Sequence, residues 1–333
     1  MARSTPENSE NHVLNAESAA GLATQLSDVD GLGVRRSKSV NLETLLEVAM
    51  RNQWSVHDFD WHSPIADDIA KTRKQRKLLG KMLLMTAGFE RLGVDAFMNH
   101  ARHSNDKTAK TIFQLIALDE QRHADSEVEL AKRLGVTWRD LPFPVRAMFK
   151  QFSQDIRRAG RTPVSRLLHE FGASGIPIAE LALDTILLPT LKKMSNDPLL
   201  MEVFKLIDRD EARHIAMDYW LLDEKGQAAK HGLKAKRRRN GKKYSYPFRP
   251  LSFGFAAMGL VSFAWSVREA PMGGDEFVAY WGRLLSVDAK APHSMEVKSF
   301  RVSVDFMKSA VDFFEKRPGL FKAALFLATG RTS

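Results

Sequence analysis

A five-residue signature occurs twice in the chain, as Asp119-Glu-Gln-Arg-His123 and as Asp210-Glu-Ala-Arg-His214. Each copy holds Glu-x-x-His, and residues three apart on an α-helix share a face, so each presents a carboxylate and an imidazole together. A glutamate precedes each copy at a matched distance, Glu90 30 residues before Glu120 and Glu180 31 before Glu211. The midpoints fall at Asn105 and at Ser195-Asn196, inside the turn sequences His-Ser-Asn-Asp and Met-Ser-Asn-Asp-Pro. Residues equidistant from the turn of an antiparallel hairpin face each other. Both pairs are therefore predicted about 15 residues, or roughly 22 Å, from their turns. Two helical hairpins must then bring four carboxylates and two imidazoles to one height.

The rest of the chain reads as all-α. Four long segments carry helical periodicity. The first spans about Ile65 to Arg102, with Leu79, Met82, Leu83, Thr86, Glu90 and Phe97 at 3–4 spacing. The second runs from an Asp106 N-cap to Leu134, stopped by Gly135. A connection through Leu141-Pro-Phe-Pro144 leads to Thr162-Pro163, an N-cap followed by proline at the first helical position. The third helix then reaches about Met194. Asp197-Pro198 repeats the start signal for a fourth ending near Glu224. A last amphipathic helix is predicted over about Met295 to Lys316.

Cysteine is absent, so thiolate ligands, disulfides and a cysteine nucleophile are excluded, and any metal must be held by nitrogen and oxygen. One Glu from each of two helices plus Glu-x-x-His from each of the other two is the ligand set by which helical bundles hold two iron or manganese ions. Four converging carboxylates would repel one another without cations between them. The predicted ligands are Glu90, Glu120, His123, Glu180, Glu211 and His214. A lone Glu-x-x-His is usually a surface pair; two copies, each with a depth-matched Glu, point to metal. Glu170 competes with Glu180, but its midpoint with Glu211 misses the turn. Imidazole with carboxylate suits iron or manganese, and redox chemistry favours iron.

Several neighbours have two readings. Asp119 and Asp210 either orient the histidines across the hairpins or pair with Arg122 and Arg213. Glu127 and Asp218, each four residues past a motif histidine, are either outer partners of the ligands or exposed acids. Gly172, Gly175 and Pro177 predict an irregularity just before Glu180, either a bulge that opens one face of the site or a structural kink.

Residues 1–40 are rich in Ser, Asn, Ala and Gly and read as a disordered tail without a secretory signal, which makes the cytoplasm the expected compartment. The net charge of +10 is concentrated between Lys225 and Arg249, which hold ten Lys or Arg and no acid. This stretch reads either as a solvated linker over 225–250 or as a docking strip for anionic lipid or an acidic protein. Nucleic acid is the weakest of its partners, because no known binding motif appears. Leu251 to Val267 is uncharged but short of the ~20 residues of a spanning helix. A buried helix of a C-terminal extension over 251–333 is the commoner explanation and an interfacial membrane helix the sharper one.

With Glu90, Glu120-x-x-His123, Glu180 and Glu211-x-x-His214 in these places, residues 65–224 resemble the ferritin-like superfamily in its di-iron oxidase branch. That branch includes ribonucleotide reductase small subunits, acyl-carrier desaturases, multicomponent monooxygenases and arylamine N-oxygenases. The resemblance implies a ferritin-like four-helix bundle with additional C-terminal helices and two bound irons, with manganese or a mixed pair as variants. It also implies Glu120 and Glu211 as bridging ligands and Glu90 and Glu180 as terminal ones. Ile207 stands where the N-oxygenases add a histidine, and no tyrosine precedes Tyr219, so a tyrosyl radical beside the second helix is not expected. The implied activity is O2-dependent hydroxylation, desaturation or N-oxygenation of an organic substrate, hydrophobic or carrier-bound, by a monomer or homodimer. Electrons would come from an external donor, a ferredoxin or reductase, since the chain has no Gly-rich dinucleotide fingerprint. The rivals are an iron-storage or metal-handling ferritin-like protein and a non-catalytic membrane-docking module.

Overall fold

The computed structural model describes residues 40–66, 72–157, 176–230 and 274–315, and all regular structure among them is helical. The elements are α1 (Leu42–Arg51), α2 (Arg73–His103), α3 (Lys107–Arg133), α4 (Phe143–Arg157), α5 (176–193), α6 (Pro198–Lys230), α7 (Gly274–Leu285), α8 (Val287–Lys290) and α9 (Lys298–Glu315). Short 3₁₀ turns at Val56–Asp58, Trp138–Asp140 and Ser294–Glu296 join some of them.

Side-chain caps set the helix starts. Asp106 accepts from the Ala109 N–H at 2.8 Å and begins α3; Asp197 accepts from the Leu200 N–H at 3.0 Å and begins α6. Thr72 and Gln75 cap each other reciprocally at the start of α2. That box places the start at Arg73, later than the expected Ile65. At the end of α3, Gly135 takes φ 72°, and Val136 N–H returns to the Ala131 carbonyl at 3.0 Å.

α2 and α3, joined across Ser104–Asp106, form the first hairpin; α5 and α6, joined across residues 194–197, form the second. Arg133 fastens the ends together. Its guanidinium meets Asp197 at 3.0 Å and donates to the Ser63 carbonyl at 2.9 Å, tying α3, the start of α6 and the lead-in segment. One apolar cluster, including Leu79, Leu83, Met148, Leu188 and Phe204, lies on one side of the buried acids. A second, including Phe97, Ile112, Phe113, Ile116 and Met217, lies on the other.

The structure departs from the expectations at further places. The Pro142–Pro144 connection is followed at once by α4, which accommodates Pro144 in its first turn, where no intrahelical N–H bond is lost. α6 does not end at Glu224 but continues to Lys230, so residues 225–230 of the expected linker are helical. Gly226, inside this extension, is a point of close approach: a Cβ there would overlap the His293 carbonyl. α7 and α8 precede the expected last helix, which spans Lys298–Glu315. A π-turn over Leu183–Leu187 follows Glu180 in α5, and residues 176–182, the described part before it, are regular helix. Thr162-Pro163, Glu170, Gly172, Gly175, the tail 1–39, the basic residues 231–249 and Leu251–Val267 lie outside the described residues.

The C-terminal helices cover α5 and α6. Tyr219, Leu222, Val287, Phe300 and Val304 share a core, and the ion pairs Lys193–Glu276 and Arg283–Asp184 fasten this layer to α5. No described helix is long and apolar enough to cross a membrane.

Candidate metal centre

Both hairpins place their acids as the turn arithmetic requires. α2 carries Glu90, α3 carries Glu120 and His123, α5 carries Glu180, and α6 carries Glu211 and His214. All six side chains are buried, none more than 4% exposed. They converge as two overlapping groups, Glu90, Glu120, His123 and Glu211 in one and Glu120, Glu180, Glu211 and His214 in the other. Within each group one ligand atom per residue lies within 4.8 Å of all the others, a spacing that fits one metal ion. Glu120 and Glu211 belong to both groups.

The two imidazoles are arranged alike. Nδ1 of His123 faces Glu211 at 3.3 Å and Glu90 at 3.5 Å. Nδ1 of His214 faces Glu120 at 2.9 Å and Glu211 at 3.5 Å. Their ring centroids are 5.6 Å apart. Each Nε2 points away from the acids to the aspartate of the opposite motif, His123 to Asp210 and His214 to Asp119, both at 3.4 Å. Each motif therefore supplies the outer anchor for the other motif's histidine. Arg213 spans the two aspartates, 2.8 Å from Asp210 and 3.1 Å from Asp119, while Arg122 also pairs with Asp119. The orienting and ion-pairing roles open in the sequence are filled together.

Trp54 closes this outer ring. Its indole N–H donates to Asp210 at 2.7 Å, and its ring stacks on His123 with centroids 6.2 Å apart. The residue is 156 positions from Asp210 in the chain. The Arg122 guanidinium lies over the same indole, 5.6 Å from the ring centroid.

Without a cation the cluster is poorly satisfied. Every one of the six residues has at least one buried side-chain atom with no hydrogen-bond partner, including Nδ1 of both histidines and both oxygens of Glu211. Buried polar atoms are normally paired, and these orphans point at one another, as ligand atoms around an ion do. Burial first, then the Glu90 carboxylate, pushes Glu120 well above the usual carboxylate range. Burial and then Glu211 do the same to Glu180. Burial also opposes ionisation of Glu211, but His214 and then His123 hold it well below that range. Burial disfavours charge on the histidines too, yet His123 is raised by Asp210, Glu211 and Glu90, and His214 by Glu211 and Asp119. Protons thus do in this cluster what cations would do in a loaded site.

Glu127 and Asp218 are not exposed acids. Both are buried, one helical turn past His123 and His214, with all four carboxyl oxygens lacking hydrogen-bond partners. Burial raises both carboxyls well above their usual range. Replacing Asp119 by Asn keeps the shape but removes the charge that holds the His214 ring. Affinity at the second ion position is expected to fall about 10- to 100-fold, the usual cost of losing an outer anchor. Competitive Zn2+ titration against a chromophoric chelator measures it.

The chain matches no protein-family model and no curated protein sequence.

Proposed function

We propose that the chain is a two-metal oxidoreductase built on a ferritin-like four-helix bundle, holding two irons and using O2 to oxidise an organic substrate. The observation that carries this reading is the overlap of the two ligand groups at Glu120 and Glu211. Two four-ligand sites sharing two carboxylates are what a bridged metal pair requires, and a single structural ion would need only one group. Glu90 and His123 would complete one ion's ligands and Glu180 and His214 the other's. The donors are nitrogen and oxygen only, which suits iron or manganese.

When bound, such a metal pair supplies Lewis acidity and redox equivalents for O2. The protein's own residues fix the geometry around it. Asp119 and Asp210 hold the rings of His214 and His123 so that Nδ1 faces inward. The apolar side chains packed above and below exclude water from the acids. Glu127 and Asp218 place two further buried carboxyls, raised above their usual range by burial, one helical turn from His123 and His214. Electrons would arrive from an external ferredoxin or reductase, and an acidic carrier protein or an anionic membrane surface is the partner suited to the basic run.

Anaerobic loading with Fe2+, metal analysis and rapid mixing with O2 test the reading. About two irons per chain, O2 consumption and a transient visible absorbance are expected. An iron-loaded sample that ignores O2 would refute the oxygenase reading, and uptake of hundreds of irons by an assembled cage would identify a storage protein.

A further inference from the structure

We propose that Gly93 is a positioning residue for Glu120: its missing side chain is the space in which the carboxylate shared by both ligand groups is held. The proposal rests on the metal reading above. Gly93 follows Glu90 by three residues on α2 and is itself part-exposed, whereas Glu120 beneath it is buried. A Cβ built at Gly93 would stand 2.9 Å from Cδ of Glu120 and 3.3 Å from its Cγ, and closer still to Oε2. The three nearest atoms all belong to Glu120. The other two glycines of α2 differ in kind. Gly80 abuts Val136 and Gly88 abuts Phe149, so those two make room for apolar packing.

Opposite Gly93 the carboxylate has nowhere to retreat. Oε1 of Glu120 is already 2.9 Å from Nδ1 of His214, and the remaining neighbours include the acids Glu90 and Glu211. The carboxylate is therefore clamped between the α2 backbone and an imidazole on α6. A methyl at position 93 displaces it, and because Glu120 serves both groups, both ion positions change together. Glycine is the poorest helix former after proline, so its presence mid-helix against this one carboxylate reads as a requirement of the site.

The test is Gly93→Ala in the full-length chain, with Co2+ as the spectroscopic probe. The metal-free variant is expected to fold but to melt below the wild-type temperature, since displacing a clamped, buried carboxylate outweighs the ~1 kcal/mol that alanine adds in helix propensity. Its Co2+ affinity should fall about 10- to 100-fold, the range seen when a ligand's orientation is disturbed, and its visible bands should shift. Adding Glu120→Asp, whose carboxylate is one methylene shorter, should recover much of both. Wild-type affinity and spectrum in Gly93→Ala overturn the proposal. So does a misfolded Gly93→Ala that Glu120→Asp does not rescue, because the methyl then clashes with something else. If the wild type takes up no Co2+, the metal reading is what fails. The contact is then read in metal-free protein from the 13Cδ resonance of Glu120, assigned with Glu120→Gln. A shift in Gly93→Ala that exceeds the shift at Glu180 supports the proposal, and an unmoved resonance overturns it.

Discussion

On the two-metal reading, replacing Glu211 by alanine is expected to weaken binding of both ions together, whereas Glu90→Ala and Glu180→Ala should each weaken only one. Glu211 belongs to both ligand groups, and each terminal glutamate belongs to one. It is also held well below the usual carboxylate range, because both histidines face it. Losing an outer partner of a ligand already costs about 10- to 100-fold in metal affinity, so losing a residue of both groups is expected to cost at least that much at each. Equilibrium dialysis with metal analysis reads the result directly. Two ions bound at wild-type affinity in Glu211→Ala would show that the two groups are not bridged through this residue.

The metal-free and metal-loaded proteins should respond to pH in opposite directions. In the metal-free protein Glu120, Glu180, Glu127 and Asp218 are held above their usual range, first by burial. The unfolded chain releases these protons near pH 4, while the folded chain keeps them. The folded state therefore binds more protons above that pH and loses stability as pH rises. His123 and His214 act in the same sense. Their folded pKa values are raised, so their stabilisation is complete below about pH 6.5 and is lost as pH climbs through the folded values. Glu211 and Asp210 are lowered and act oppositely, but only at acid pH, as protonation of the folded state removes their contribution.

Metal binding reverses the slope, because carboxylates and imidazoles must give up their protons to ligate. At a free metal concentration 1,000 times Kd, binding adds about 4 kcal/mol. For a domain of this size that is roughly 8–16 °C in Tm, present at pH 8 and fading towards pH 5. Thermal melts in chelator and in Mn2+ across this range check both arms. A metal-free protein that gains stability from pH 5 to pH 8 would contradict the buried-proton account.

The candidate site was legible in the sequence because helices are local and periodic. Glu120 and His123 share a face by the 3.6-residue repeat alone, and a short turn fixes which residue of the preceding helix lies opposite. Asp106 and Asp197 mark the turns, so Glu90 and Glu180 follow by counting. The misread boundaries have a common cause: a residue's local habit was outweighed by its neighbours in space. The fourth helix, expected to end near Glu224, runs on to Lys230 with Gly226 against His293. The Pro142–Pro144 segment looks like a connector until α4 is seen packed on α2 through Phe149 and Gly88.

By itself, then, the sequence determined the six candidate positions and the all-helical class, since both depend on spacing along single helices and across tight turns. Only the tertiary structure decided that each histidine is anchored by the other motif's aspartate, that Trp54 reaches Asp210 from 156 residues away, and that Gly93 is opposite Glu120. Those contacts depend on how one hairpin rotates and slides against another. Helix periodicity is silent on that placement, which the packing of side chains from distant segments fixes.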